Sequence, residues 1–224
     1  MEKINVVVSG FDPYEGVEVN PSFEVPRILA ERGMIDAKTL QDEELDGVEI
    51  SITAVTMPVS FEEAWPQLLA TINESNPDII IATRLRKDAR SIMLERCATN
   101  IIDLDHGEGD NSRRVKIDEN GPAAYWTKLP LGSIIHAFAE DNIPANLSSD
   151  AGIYVCNSLF YNLLNWASKK DHVIAGFVGL PKIVENTGMY RALSLEQQVQ
   201  AVSDVIRESV KYYLHPSSSD ILLE

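Results

Sequence analysis

The chain has 224 residues, 45% of them hydrophobic, enough for a substantial core in one large domain or two small ones. Its 34 acidic against 19 basic residues give a formal net charge of -15, which repels polyanions and so excludes nucleic acid and anionic membrane surfaces as main partners. Cys97 and Cys156 belong to no CxxC or Cys/His cluster, so free thiols are expected rather than a disulfide framework, and no structural metal site.

The opening "MEKINVVVSGFDPYEG" holds too short an apolar run for a signal-peptide core, and nothing later approaches a membrane span, so a cytoplasmic protein is expected. Within it "INVVVS", residues 4–9, is a β-branched run ending in glycine, which predicts a strand covered on both faces. A helix over 22–32, closed by Gly33, leads to a second strand, "VEISITAV" at 48–55. The helix over 60–75 opens on a capping box of Ser60 with Glu63, and Pro66 should kink or shorten it. "DIIIAT" at 78–83 is the third strand, followed by the basic run "RLRKDAR". The polar stretch 103–121, "DLDHGEGDNSRRVKIDENG", is a long surface excursion. Helices over 131–142 and 156–169 precede a strand at 172–178, "HVIAGFV". A helix over 194–213 carries a second capping box, Ser194 with Gln197. The expected fold is an α/β, three-layer α/β/α sandwich around a central mixed, mostly parallel sheet. It forms one domain over 1–214, with a loosely ordered tail at 215–224, "HPSSSDILLE".

In such sheets working groups collect at the carboxyl ends of strands. "SGFDPYEGVEVNPS", "RLRKDARSIMLERCATN" and "GIYVCN" occupy such positions. Cys156 stands at the head of a helix, where free N–H groups and the helix dipole favour a thiolate. It also shares one helix face with Leu159, Phe160, Leu163, Leu164 and Ala167, the pattern of an inert core thiol. Spacing alone leaves both roles open.

The chain resembles the pyroglutamyl peptidase I family of cysteine peptidases, which remove an N-terminal pyroglutamyl residue. "VVVSGFDPYEGVEVNPS", "MPVSFEEAW", "NPDIIIATRLRKDARSIMLERCATNIID", "GPAAYWTKLP", "DAGIYVCNSLFYNLL" and "AGFVGLP" carry the likeness, in the family's order, across residues 4–181. The resemblance implies that Cys156 is the nucleophile and Glu95 the triad acid. It implies that Phe11, Tyr14 and Val155 enclose the flat lactam ring, with Asn20 in the same motif. No cofactor is implied. The expected partner is a peptide with N-terminal pyroglutamate or a related small molecule, and the expected assembly a homo-oligomer, dimer or tetramer.

Three positions depart from that pattern. Gly179 stands where the family has its catalytic histidine. Arg84 to Ala89 replace a glycine-rich turn that ends in an arginine, and Arg90 next door is the candidate to reach inward in its place. Glu15 replaces a glycine on the same rim, and such bulky charged residues should narrow the pocket. The basic run is either a solvated loop or a recognition element. Among the histidines, His172 is excluded by distance, His136 and His215 are helix and tail residues, and His106 alone lies on a loop that could approach. The expectation is therefore a pyroglutamyl-peptidase-like cysteine hydrolase of impaired or altered activity. The alternative is a non-catalytic member that binds a small molecule or peptide.

Overall fold

The computed structural model describes residues 2–13, 16–17, 19–34, 37–104, 113–183 and 193–220. Strands β1 (Glu2–Phe11), β2 (Val48–Met57), β3 (Ile79–Arg86), β4 (Ile92–Glu95), β5 (Cys97–Thr99), β6 (Ile102–Asp103), β7 (Arg114–Val115), β8 (Ala124–Trp126), β9 (Ala145–Ser148) and β10 (Ile174–Pro181) alternate with helices. The helices are α1 (Pro21–Arg32), α2 (Ala37–Gln41), α3 (Ala64–Ser75), α4 (Leu131–Glu140), α5 (Val155–Ala167) and α6 (Leu195–Leu214).

Six strands form one sheet in the order β2-β1-β3-β10-β4-β9. β2, β1, β3 and β10 run parallel, whereas β4 is antiparallel to β10 and β9 follows the direction of β4. The sheet is thus mixed and mostly parallel, as the alternation of apolar runs and helical segments predicts. β1 is sandwiched between β2 and β3, which explains why its run is continuously apolar. The small ladders β5·β8 and β6·β7 lie outside the main sheet. β4 escapes the sequence reading, and β9 is expected there only as a short strand leading to "GIYVCN", without bounds, because each is only four residues long with little β-branched content.

One apolar core lies between the sheet and α1, α4 and α6, built on Val25, Leu29, Ile134, Phe138, Val202 and Ile206. The other lies under α3 and α5, with Leu68, Ile72, Leu159, Phe160, Leu163 and Phe177. Helices cover both faces, giving the three layers. The capping box of Ser194 and Gln197 forms on α6. That of Ser60 and Glu63 does not: Ser60 Oγ accepts from the N–H groups of Glu62 and Glu63, but these residues form a turn, and α3 begins at Ala64 without a side-chain cap. Pro66 then falls in the first turn of the helix, where its missing N–H costs no hydrogen bond. Gly10 is required by a close approach, since a Cβ there would lie 1.5 Å from the Ser22 carbonyl oxygen at the start of α1. Among the described residues no helix is long and apolar enough to cross a membrane.

Candidate active site

α5 presents Cys156 as its second residue. The chain enters through a turn in which Gly152, at φ 83°, donates its N–H to Asp150 Oδ1 at 2.9 Å, and Tyr154 then takes up an extended conformation that stops the helix from starting earlier. Tyr154 offers no side-chain cap, so the N–H groups of the first turn point outward beside the cysteine. Asn157 clips this end of the helix to β5: its Oδ1 accepts from Thr99 N at 3.0 Å, and its Nδ2 donates to the carbonyls of Thr99 and Ile101 at 2.8 and 2.9 Å.

Glu95 ends β4 and is fully buried on the sheet face that α5 covers. Arg84 and Arg86 lie two residues apart near the end of β3, so the pleat puts both on that same face. β10 runs between β3 and β4, with Gly179 paired to Arg84 on one side and Met93 on the other. Both arginines cross this strand to reach Glu95: Arg84 Nη2 donates to Oε1 at 2.6 Å and Arg86 Nη1 at 3.4 Å. Gly179 lies between them on that face, and a Cβ there would sit 3.1 Å from Met93 Cβ, tighter than ordinary contact, and 3.6 Å from Arg86 Cβ, an ordinary one.

The same guanidinium groups hold the loop before α5. Arg84 Nη1 donates to Ala151 O at 2.8 Å, and Arg86 Nη1 to Asp150 O at 2.8 Å. The first half of the basic run is therefore strand with a buried arginine, not a solvated loop. What the sequence reading missed is Arg84 as the link between acid and cysteine, although the Arg-Leu-Arg alternation at the end of an apolar strand is a legible signal for two cations on one face.

Burial pushes the Cys156 thiol above its ordinary value. The charge and hydrogen-bonding reach of Arg84 oppose that rise, Glu95 adds to it, and Arg86 works against it. The thiol thus faces a fixed cation where a neutral base would take its proton. Arginine stays protonated at all working pH values and cannot do so. Two further buried groups face no partner, Arg84 Nε and Glu95 Oε2.

Of the remaining candidates, Phe11 and Val155 are buried in the apolar cluster under α3 and α5, against which Cys156 also packs. Asn20 is not presented to a ligand: it caps α1, its Oδ1 accepting from Ser22 N and Oγ and its Nδ2 donating to the carbonyls of Phe11 and Asp12. Arg90 lines a cavity of about 600 Å³ with Phe138, Ile143 and Leu193, residues of the opposite core, and so does not reach the cysteine. His172 precedes β10 and lines a separate cavity with Tyr212 and Tyr213 at the far end of that strand. His136 is exposed beside Glu140, and His215 ends α6. Tyr14, Glu15 and His106 lie outside the described residues. Among the described residues no cluster of His, Cys, Asp or Glu could hold a metal ion.

The profile of the pyroglutamyl peptidase family matches residues 4–212. A pyrrolidone-carboxylate peptidase of Brevibacillus brevis is 33% identical over 98% of this chain and 96% of its own length. One from Bacillus cereus is 35% identical over 83% of this chain and 81% of its own. Among solved structures, Bacillus amyloliquefaciens pyroglutamyl peptidase I superposes with a TM-score of 0.76 at 30% identity, covering 94% of this chain and 98% of the other. The pyrrolidone carboxyl peptidase of Thermococcus litoralis reaches 0.78 at 26% identity with complete coverage of both. With the sheet, the helix-borne cysteine and the buried glutamate all in place, the chain belongs to the pyroglutamyl peptidase family.

Proposed function

We propose that the site at the head of α5 binds an N-terminal pyroglutamyl group and cleaves its amide only slowly, with Cys156 as nucleophile and Glu95 as the residual acid of the family triad. The observation that carries this is the Arg84 guanidinium, bound to Glu95 at 2.6 Å and acting on the Cys156 thiol, where the reaction needs a group that can gain and lose a proton. Family membership supports the pyroglutamyl peptide as substrate, and the apolar cluster of Phe11 and Val155 suits an uncharged lactam ring. By resemblance the missing proton carrier is the histidine for which Gly179 stands.

Amide cleavage needs two proton movements, off the thiol before it attacks the acyl carbon and onto the amine that leaves. Cysteine tolerates loss of its base better than serine does, because part of it ionises unaided. The leaving amine still has to be protonated, and a positioned acid/base group is worth about 10²–10⁴ in rate. The same arginine favours a second reading, in which the chain binds its ligand without turning it over.

Purified protein is expected to hydrolyse a fluorogenic pyroglutamyl amide at least about 10²-fold more slowly than a family member with the histidine. Turnover at the full family rate that disappears in Cys156→Ala would overturn the impaired reading.

A further inference from the structure

We propose that the open edge of β2 is a docking site for an extended, basic segment of a partner protein, which joins the sheet as a further strand. β2 is one of the two outer strands, and all ten of its residues keep a single unbroken parallel register with β1. The carbonyls of Gly47 and Met57 accept from the β1 side, from Glu2 N and Asp12 N, so the odd-numbered residues of β2 turn their backbone groups inward. Alternation then points those of Val48, Ile50, Ile52, Ala54 and Thr56 away from the sheet. Of these, only the Thr56 carbonyl has a hydrogen-bond partner among the described residues, Gln67 Nε2 at 2.6 Å. Such edges are normally blunted by lysine, proline or a bulge, because a row of free N–H and C=O groups invites another strand. "VEISITAVTM" has none of the three and is mostly β-branched.

The surroundings select the partner. Beside the amino half of the edge lies a cavity of about 780 Å³, with Met34, Leu40, Leu45, Val48 and Ile50 in its walls. Val48 and Ile50 are among the outward-pairing residues, so alternate side chains of an added strand would stand over this groove. Leu40 is 69% exposed there, a large apolar side chain left in water. The rim is acidic: Asp42, Glu43 and Asp46 line the groove and Glu44 and Glu49 flank it, five carboxylates within residues 42–49. Lys211 holds Asp42 and Glu44 at 2.8 and 3.3 Å, and Lys3 approaches Glu49 at 3.9 Å. Glu43 and Asp46 are left without a cation among the described residues.

An apolar floor under an acidic rim fits a strand that carries lysine or arginine beside its apolar residues. It disfavours a second copy of this chain, whose net charge is -15. The groove adjoins the core under α1, α4 and α6, on the opposite face of the sheet from Cys156, so this surface is separate from the active site.

The test is fluorescence anisotropy of a labelled peptide of alternating lysine and valine, about ten residues long, titrated with the full chain beside its counterpart of glutamate and valine. The lysine peptide is expected to bind at least about tenfold more tightly, and to weaken as salt is added. Ala54→Pro removes an outward N–H at a position where an edge strand accepts proline, and should abolish binding with the circular dichroism spectrum unchanged. Glu43→Lys combined with Asp46→Lys, both exposed, should remove the preference for the lysine peptide even if the proline variant does not fold. Equal binding of the two peptides, binding that neither variant changes, or no binding overturns the proposal. A dimer of the parent chain that Ala54→Pro dissociates also overturns it, by assigning the edge to a second copy.

Discussion

Arg84 of β3 and Glu95 of β4 meet at 2.6 Å although a whole strand, β10, lies between them. Between them stands Gly179, which pairs with Arg84 and carries no side chain on the face the guanidinium crosses, so a large side chain there would occupy the path of the guanidinium. Acid and cation thus meet across a residue that has no side chain.

Restoring a histidine at that position alone is therefore not enough. Gly179→His should leave pyroglutamyl amide turnover at background, since the imidazole would compete with Arg84 for the space across β10, and cost about 1–3 kcal/mol through overpacking against Met93. Combining it with Arg84→Gly opens the crossing, and a gain of about 10²-fold or more in turnover is expected. Steady-state kinetics on the single and double variants decide it; a single variant as active as the double would contradict the crossing geometry.

Removing the shared acid should unfold the site rather than free it. Glu95→Gln leaves Arg84 and Arg86 without their common counter-ion, Arg84 almost fully buried. A loss of about 3–5 kcal/mol is expected, which for a chain of this size lowers Tm by on the order of 10 °C. Thermal melts followed by circular dichroism measure it, and an unchanged Tm would mean the pair contributes little.

The raised Cys156 thiol predicts sluggish alkylation at neutral pH that accelerates above the ordinary thiol range, about 8.5. Because Arg84 pulls the value down, Arg84→Met should slow labelling further at any fixed pH. Iodoacetamide labelling quantified by mass spectrometry on the peptide bearing residue 156 separates it from Cys97, whose thiol burial also raises. Rapid labelling at pH 7 would show a stabilised thiolate instead.

Far from the site, the Asp204 carboxyl on α6 is fully buried beside Arg207, with one oxygen unpartnered, and burial pushes it from 3.8 up to about 6. The folded chain therefore holds this proton more tightly than the unfolded one. The stability involved is complete below the ordinary carboxylate value and is lost as pH rises through about 6. The effect is on the order of 2–3 kcal/mol at one pKa unit per 1.36 kcal/mol. Urea melts of the parent and Asp204→Asn at pH 4.5 and 7.5 should show the variant gaining relative stability at the higher pH. Parallel pH profiles would remove Asp204 as the source.

The layered architecture was legible because parallel strands buried on both faces must be continuously apolar, as residues 4–9 and 78–83 are. The head of α5 was legible too, since Cys156 begins the apolar stripe that packs that helix down. Residue order alone could not assign the roles of Arg84, Arg90 and Asn20. Arg84 and Arg90 both belong to one charged run, yet the strand pleat and the chain's exit from β3 send the first to the cysteine and the second to the opposite core. Asn20 sits in a motif shared with Phe11, but its amide is consumed by the turn that joins β1 to α1. Sequence by itself determined the four parallel strands of the sheet, the helix faces and the family, because these follow from local periodicity and long matched stretches. The contact between Arg84 and Glu95 was decided only in three dimensions. It depends on two strands that are neighbours of a third, and no one-dimensional spacing records which side chain reaches over which backbone.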